Sequence, residues 1–131
     1  MTQDEARRQV VDYWMHKAKE ALESARSEML AGRLDFAVNR AYYACFYAAS
    51  AKLLRMGKKF VKHAGLRAAI HQELVKAGKL DVKWGKVFDR ISENRQSADY
   101  VEMWEFTSDQ VEMIVRDAEG FVQEMRHILA E

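Results

Sequence analysis

Apolar side chains recur along this chain at steps of three and four, the spacing of one helix face. Val11, Met15, Ala18, Leu22, Ala25 and Met29 form a heptad stripe, predicting a first helix from about Asp4 to Ala31. Gly32 follows, where helices commonly end in a left-handed residue. Asp35 is positioned to cap a second helix that runs to about Met56, where Gly57, Lys58 and Lys59 break it. A third, shorter helix is expected from about Ala64 to Ala77, stopped by Gly78. Asp81 can cap a fourth. Thr107 and Gln110 have capping-box spacing and start the last helix, whose stripe is Val111, Val115, Ala118, Val122, Met125 and Leu129. No segment alternates as a strand does. The prediction is an all-α antiparallel bundle of about five helices, a single domain over residues 1–131.

The second helix is apolar almost all the way round. Ala37, Ala41, Ala44, Ala48 and Ala51 make a small-residue stripe that admits a close neighbour. Phe36, Tyr43, Tyr47 and Leu54 make a second stripe, and Tyr42, Phe46, Ala49 and Leu53 a third. A helix hydrophobic on every side must be surrounded. In so short a chain the bundle alone supplies few neighbours, so a C2 homodimer is expected to cover one side.

The fourth helix breaks its own pattern. Trp84, Phe88 and Ile91 mark an apolar face, the next position on that face is Arg95, and Ala98 follows. An inward guanidinium must be paired or hydrated, because an isolated buried charge is very costly. Asp99 lies one turn on and can reach Arg95. Asn94 and Tyr100 bring further polar groups, and Asn39 and Arg40 are the strongly polar residues in the middle of the second helix. Such a set suits a phosphate-bearing ligand, since the guanidinium fork matches phosphate oxygens. The spacing equally fits an Arg95–Asp99 pair that tethers helices.

Composition supports the helical reading. The 131 residues include no proline, and 49% are hydrophobic, enough for a real core. No apolar run approaches the roughly 18 residues that span a bilayer, and the polar start is unlike a signal peptide, so a cytoplasmic protein is expected. The net charge of +1 hides a separation. From Lys52 to Lys86 ten basic residues face two acidic ones, a net of +8; from Val87 onward four basic residues face eleven acidic ones, a net of −7. One surface is therefore able to attract phosphates or an acidic partner. Cys45, the single cysteine, sits among aromatics as packing. No histidine pair has metal-ligand spacing, and neither a metal nor a cofactor is expected. His16 lies near Glu20, and His127 lies where the last helix ends. His63 is placed to help cap the third helix, and Arg67 with His71 is read as surface or partner-facing.

Three segments resemble the HEPN family, small all-helical proteins of prokaryotic two-gene modules and domains of larger RNA-targeting proteins. "RLDFAVNRAYYACFYAASAKLL" is similar to the family's long second helix, "KHAGLRAAIHQELVKAGKLD" to the connector and short helix after it, and "ENRQSADY" to the region of its arginine motif. The resemblance implies a homodimer with arginine motifs facing across the seam, a link to RNA or nucleotides, and a small nucleotidyltransferase as partner in a toxin–antitoxin-like pair. In that reading Arg95 binds phosphate and Asp99 orients it. Tyr100 donates a hydrogen bond or receives a modification, and Asn39 and Arg40 contribute from the second helix. Active HEPN ribonucleases place a histidine shortly after the motif's arginine and cut RNA without metal. Here the matching window reads Tyr100, Val101 and Glu102, which disfavours cleavage. Two alternatives stay open: a metal-independent endoribonuclease using Arg95, Asp99 and Tyr100 in the same cleft, and a non-catalytic module docking an acidic partner through Lys52–Lys86.

Overall fold

The computed structural model describes residues 1–131 as five α-helices with no strand. Helix α1 spans Gln3–Leu30 and begins at Thr2, whose hydroxyl accepts the Glu5 N–H. It ends at Gly32, whose φ of +79° is the left-handed conformation glycine adopts without strain. Helix α2 spans Leu34–Arg55. The expected Asp35 cap is corrected: the N-cap position is Arg33, with no side-chain cap, and Asp35 lies in the first turn, where its charge still favours the helix dipole.

Helix α3 covers only His63–Ala69 and then widens into a π-helical segment, Ile70–Val75. The extra residue per turn is compatible with burying both Ile70 and Leu74 while turning His71 toward the next helix. Helix α4 spans Val82–Tyr100 and is capped by Asp81, which accepts the Lys83 N–H. Its Gly85 lies against the π segment. A Cβ there would stand 2.8 Å from His71 Cε1, so this close approach depends on glycine. Helix α5, Ser108–Ile128, starts with the complete Thr107–Gln110 capping box.

Helix α2 is the centre, touching α1, α4 and α5. Its pairing with α1 is the most extensive, and both helices bury alanines: Ala37, Ala41, Ala44, Ala48 and Ala51 from α2, Ala18, Ala21 and Ala25 from α1. Small side chains let the two backbones lie close. The Tyr42 stripe joins the core, whereas Phe36 on the second stripe is 63% exposed. The rest of that stripe, Tyr43, Tyr47 and Leu54, is half-buried against the core, so only its first residue stands clear of the chain. Arg26 of α1 clamps α5 through Glu119 and Glu112, with contacts of 2.6–3.0 Å. Arg67 and His71, expected at the surface or facing a partner, are half-exposed and find their ion partners within the chain. Arg67 bonds Asp89 and Glu93, and His71 meets Asp89 at 3.0 Å, tying α3 and the π segment to α4.

Lys52 is fully buried and donates to the main-chain oxygens of Ile128 (2.7 Å) and Glu131 (2.8 Å). A cation is favourable at a helix C-terminus, where carbonyls lack partners. Burial holds the Lys52 amine below its ordinary pKa, and Lys79 adds to that. Lys52→Met keeps the stem but orphans the Ile128 carbonyl, an expected loss of about 1–2 kcal/mol. Urea unfolding checks this. An unchanged midpoint would show that water replaces the ammonium without penalty.

Candidate functional site

The α4 face carrying Phe88 and Ile91 continues inward at Arg95, which is 6% exposed. Its guanidinium Cζ lies 4.7 Å from the centre of the Tyr42 ring and 5.7 Å from that of Tyr100. Two aromatic rings thus attend the cation, an arrangement that stabilises charge when water is excluded. Arg95 Nη1 stands 3.5 Å from Asp99 Oδ2, one turn along the same helix. Arg95 Nε is buried and has no hydrogen-bond partner. Burial works against the charged form, but Tyr42, Tyr43 and Tyr100 outweigh it, and Arg95 is held above its ordinary pKa. A permanent cation with spare donors is therefore fixed at the α2–α4 junction.

The α2 residues come to the same place in different ways. Asn39 Nδ2 donates to Asp99 Oδ2 at 3.0 Å, so Asp99 is shared between Asn39 and Arg95. Arg40 reaches the site through Asn39: its Nε and Nη2 donate to Asn39 Oδ1 at 3.1 and 2.8 Å, and its Cζ lies 5.2 Å from the Tyr43 ring centre. Tyr100 is 74% exposed at the end of α4 and covers Arg95 from the solvent side. Asn94 lines a shallow neighbouring pocket with Trp104 and Phe106 and takes no part in these contacts. With two arginines against one carboxylate the cluster carries net positive charge, which suits an anion.

Two residues enter that the sequence reading assigned elsewhere. Tyr42, a stripe residue, presents its hydroxyl to His63 Nδ1 at 2.7 Å. His63 is no cap. It opens α3 and lies among Tyr42, Tyr43 and Phe46, with ring centres 5.0–5.8 Å away. Burial, with the nearby Arg95 cation, lowers the His63 pKa below its ordinary value. Burial likewise raises Tyr42 to about 12, against the opposing pull of Arg95. Nothing local in the sequence places His63 here; the length and path of the 56–62 connection do.

The lowered His63 pKa fixes a pH dependence. Unfolded histidine titrates near 6.5 and the folded residue titrates lower, so between those values the unfolded chain binds the extra proton. Stability is therefore full above pH 6.5 and declines as pH falls below it. Thermal melts between about pH 8 and pH 5 are expected to show that decline, and His63→Gln to flatten it. A wild-type slope retained in the variant would assign the effect to another group.

No group of three or more histidines, cysteines or carboxylates is disposed to hold a metal ion. No helix is long and apolar enough to cross a membrane. The HEPN domain family model matches residues 11–128. The chain belongs to the HEPN family. A "UPF0332 protein" of Thermotoga maritima is 40% identical over 122 residues, covering 93% of this chain and 92% of that one. Two Methanocaldococcus jannaschii proteins, each named "Putative toxin", are 29% identical over 88% of this HEPN chain and 34% identical over 72% of it. Those alignments cover 78% and 70% of the two relatives. The helical fold expected of the family is the fold observed, with the arginine of the "ENRQSADY" segment buried near the end of α4.

Proposed function

We propose that this HEPN protein is the RNA- or nucleotide-associated, toxin-like component of a two-gene module, working over residues 1–131 as a cytoplasmic homodimer beside a small nucleotidyltransferase. The observation that carries the reading is Arg95: a guanidinium buried beneath Tyr100, with Nε unpaired and only a long contact to Asp99. An arginine kept for architecture alone would be expected to have its donors filled. In this reading Arg95 takes a phosphate oxygen, and Asp99, held by Asn39, keeps the fork in register. Arg40 adds charge. Tyr100, exposed beside the cation, donates to the ligand or accepts a group from the partner enzyme. The toxin names of two relatives support the module, and the exposed Phe36 ring at the start of α2 supports the dimer.

A second reading is a metal-independent endoribonuclease, and His63 is the observation that favours it. The motif position after Arg95 offers no imidazole, but α3 brings one to the Tyr42 hydroxyl beside the same arginine. When Nδ1–H donates to the Tyr42 oxygen, Nε2 keeps a lone pair. A neutral imidazole at pH 7 can then take the proton of a ribose 2′-hydroxyl while Arg95 holds the phosphate.

One experiment separates the readings. Labelled single-stranded RNA and adenine nucleotides are titrated by fluorescence anisotropy, and the RNA is recovered and sized after incubation in EDTA. Arg95→Ala is expected to weaken binding at least about tenfold, the worth of a charge-assisted contact. Cleavage lost in His63→Gln with binding retained would establish the ribonuclease. Equal binding by wild type and Arg95→Ala would remove the arginine from the site. Binding that collapses with salt and ignores Arg95 would move the function to the exposed lysines from Lys58 to Lys86, Lys52 being buried.

A further inference from the structure

A second concave site lies apart from the arginine. The N-terminal half of α1, the C-terminal half of α2 and the connection leading to α3 enclose a cavity of about 520 Å³. That volume falls within the range of small-molecule sites, about 300–1,000 Å³. Its walls are aromatic: Trp14 from α1, Phe46 from α2 and Phe60 from the connection, and seven of its eleven lining residues are hydrophobic, so its occupant has an apolar body.

The lining also carries charge. Arg7 and Lys59 line the cavity, no lining residue is acidic, and neither cation belongs to any of the chain's ion pairs. Inside, Ser50 Oγ is buried without a hydrogen-bond partner. A buried hydroxyl left unpaired is costly, and an acceptor atom on a bound molecule would satisfy it. Apolar walls, two unpaired cations and an orphaned hydroxyl call for one kind of molecule. We propose that this cavity binds an amphipathic carboxylate, its acyl or aryl body between Trp14, Phe46 and Phe60 and its head group between Arg7 and Lys59, with Ser50 donating to an oxygen of the bound molecule.

The site carries a built-in reporter. Phe46 forms one wall and also lies against His63, with ring centres 5.0 Å apart. Occupancy is expected to shift the His63 ring resonances, and because the arginine cluster also neighbours His63, loss of the shift in the Arg7/Lys59 double variant assigns it to this cavity.

The test is calorimetric titration of the full chain with decanoate and with 2-naphthylacetate, using decanol as the neutral counterpart. At least one carboxylate is expected to saturate a single site and to move the His63 resonances. The tighter of the two assigns an acyl or an aryl body. Decanol is expected to bind at least about tenfold more weakly than decanoate, as is either carboxylate to the Arg7→Gln/Lys59→Gln variant. Both substitutions lie outside the buried core, and circular dichroism confirms folding before titration. Ser50→Val provides a second variant, removing the hydroxyl while adding methyl groups to the cavity, and is expected to weaken binding without lowering the melting temperature. The proposal is overturned by saturable binding of neither carboxylate, by decanol binding as well as decanoate, or by a double variant that binds like wild type.

Discussion

Arg95→Leu is expected to leave the protein close to wild type in stability while removing its affinity for phosphate-bearing ligands. Several terms compete. The guanidinium loses its place over Tyr42, worth about 2 kcal/mol when desolvated. Against that, several kcal/mol of desolvation are recovered when the buried charge goes. A leucine on the face shared with Phe88 and Ile91 then adds roughly 1.5–3 kcal/mol of burial. Asp99 is not stranded, because Asn39 still donates to it at 3.0 Å. Recovered solvation and new apolar burial stand against the lost contacts with Tyr42, Tyr100 and Asp99, so the melting temperature should stay within a few degrees of wild type. Calorimetry with anisotropy on the same sample reads both consequences. A melting temperature lower by about 10 °C would show Arg95 to be the tether between α2 and α4, and the functional reading would lose its foundation.

The same apolar face explains why the sequence pattern flags this position. A leucine in place of Arg95 would have completed the α4 stripe and gone unnoticed. Local rules broken without a structural return mark functional positions. The bundle was legible because heptad stripes and caps are local: α1 and α2 lie within a few residues of their expected spans, α4 starts at its expected Asp81 cap, and the Thr107 box formed as its spacing requires. Asp99, Asn39 and Arg40 were found because helical spacing relates the first to Arg95 and polarity singles out the others in an apolar helix. What escaped was non-local. Tyr42 reads as core from its stripe, and only the tertiary fold shows where its hydroxyl points. His63 follows a glycine- and lysine-rich connection whose path no periodicity encodes. The π-helical Ile70–Val75 was read as plain helix because the extra residue shows only in the close contact between His71 and Gly85.

Phe88→Ala is expected to be the most destabilising single change in α4, and its effect should reach the site. Phe88 is fully buried, with its ring centre 5.5 Å from Phe121 of α5 and 5.8 Å from Tyr42 of α2. It is the side chain on which three helices meet. Truncation leaves a void that rigid helices cannot close, a loss of about 3–5 kcal/mol. Domains of this size have about 5–15 kcal/mol to lose, so the variant should fold in the cold and melt roughly 10 °C or more lower. Phe88→Leu refills most of the space and should cost far less. The functional consequence follows from Tyr42, which rests on Phe88 on one side and positions both the Arg95 guanidinium and the His63 ring on others. With that support removed, ligand affinity should fall in Phe88→Ala even at temperatures where circular dichroism shows full helicity, and recover in Phe88→Leu. Equal affinity in folded Phe88→Ala and wild type would mean that the arginine is held by Asp99 and Tyr100 alone. Tyr42 would then be a wall of the core rather than part of the site.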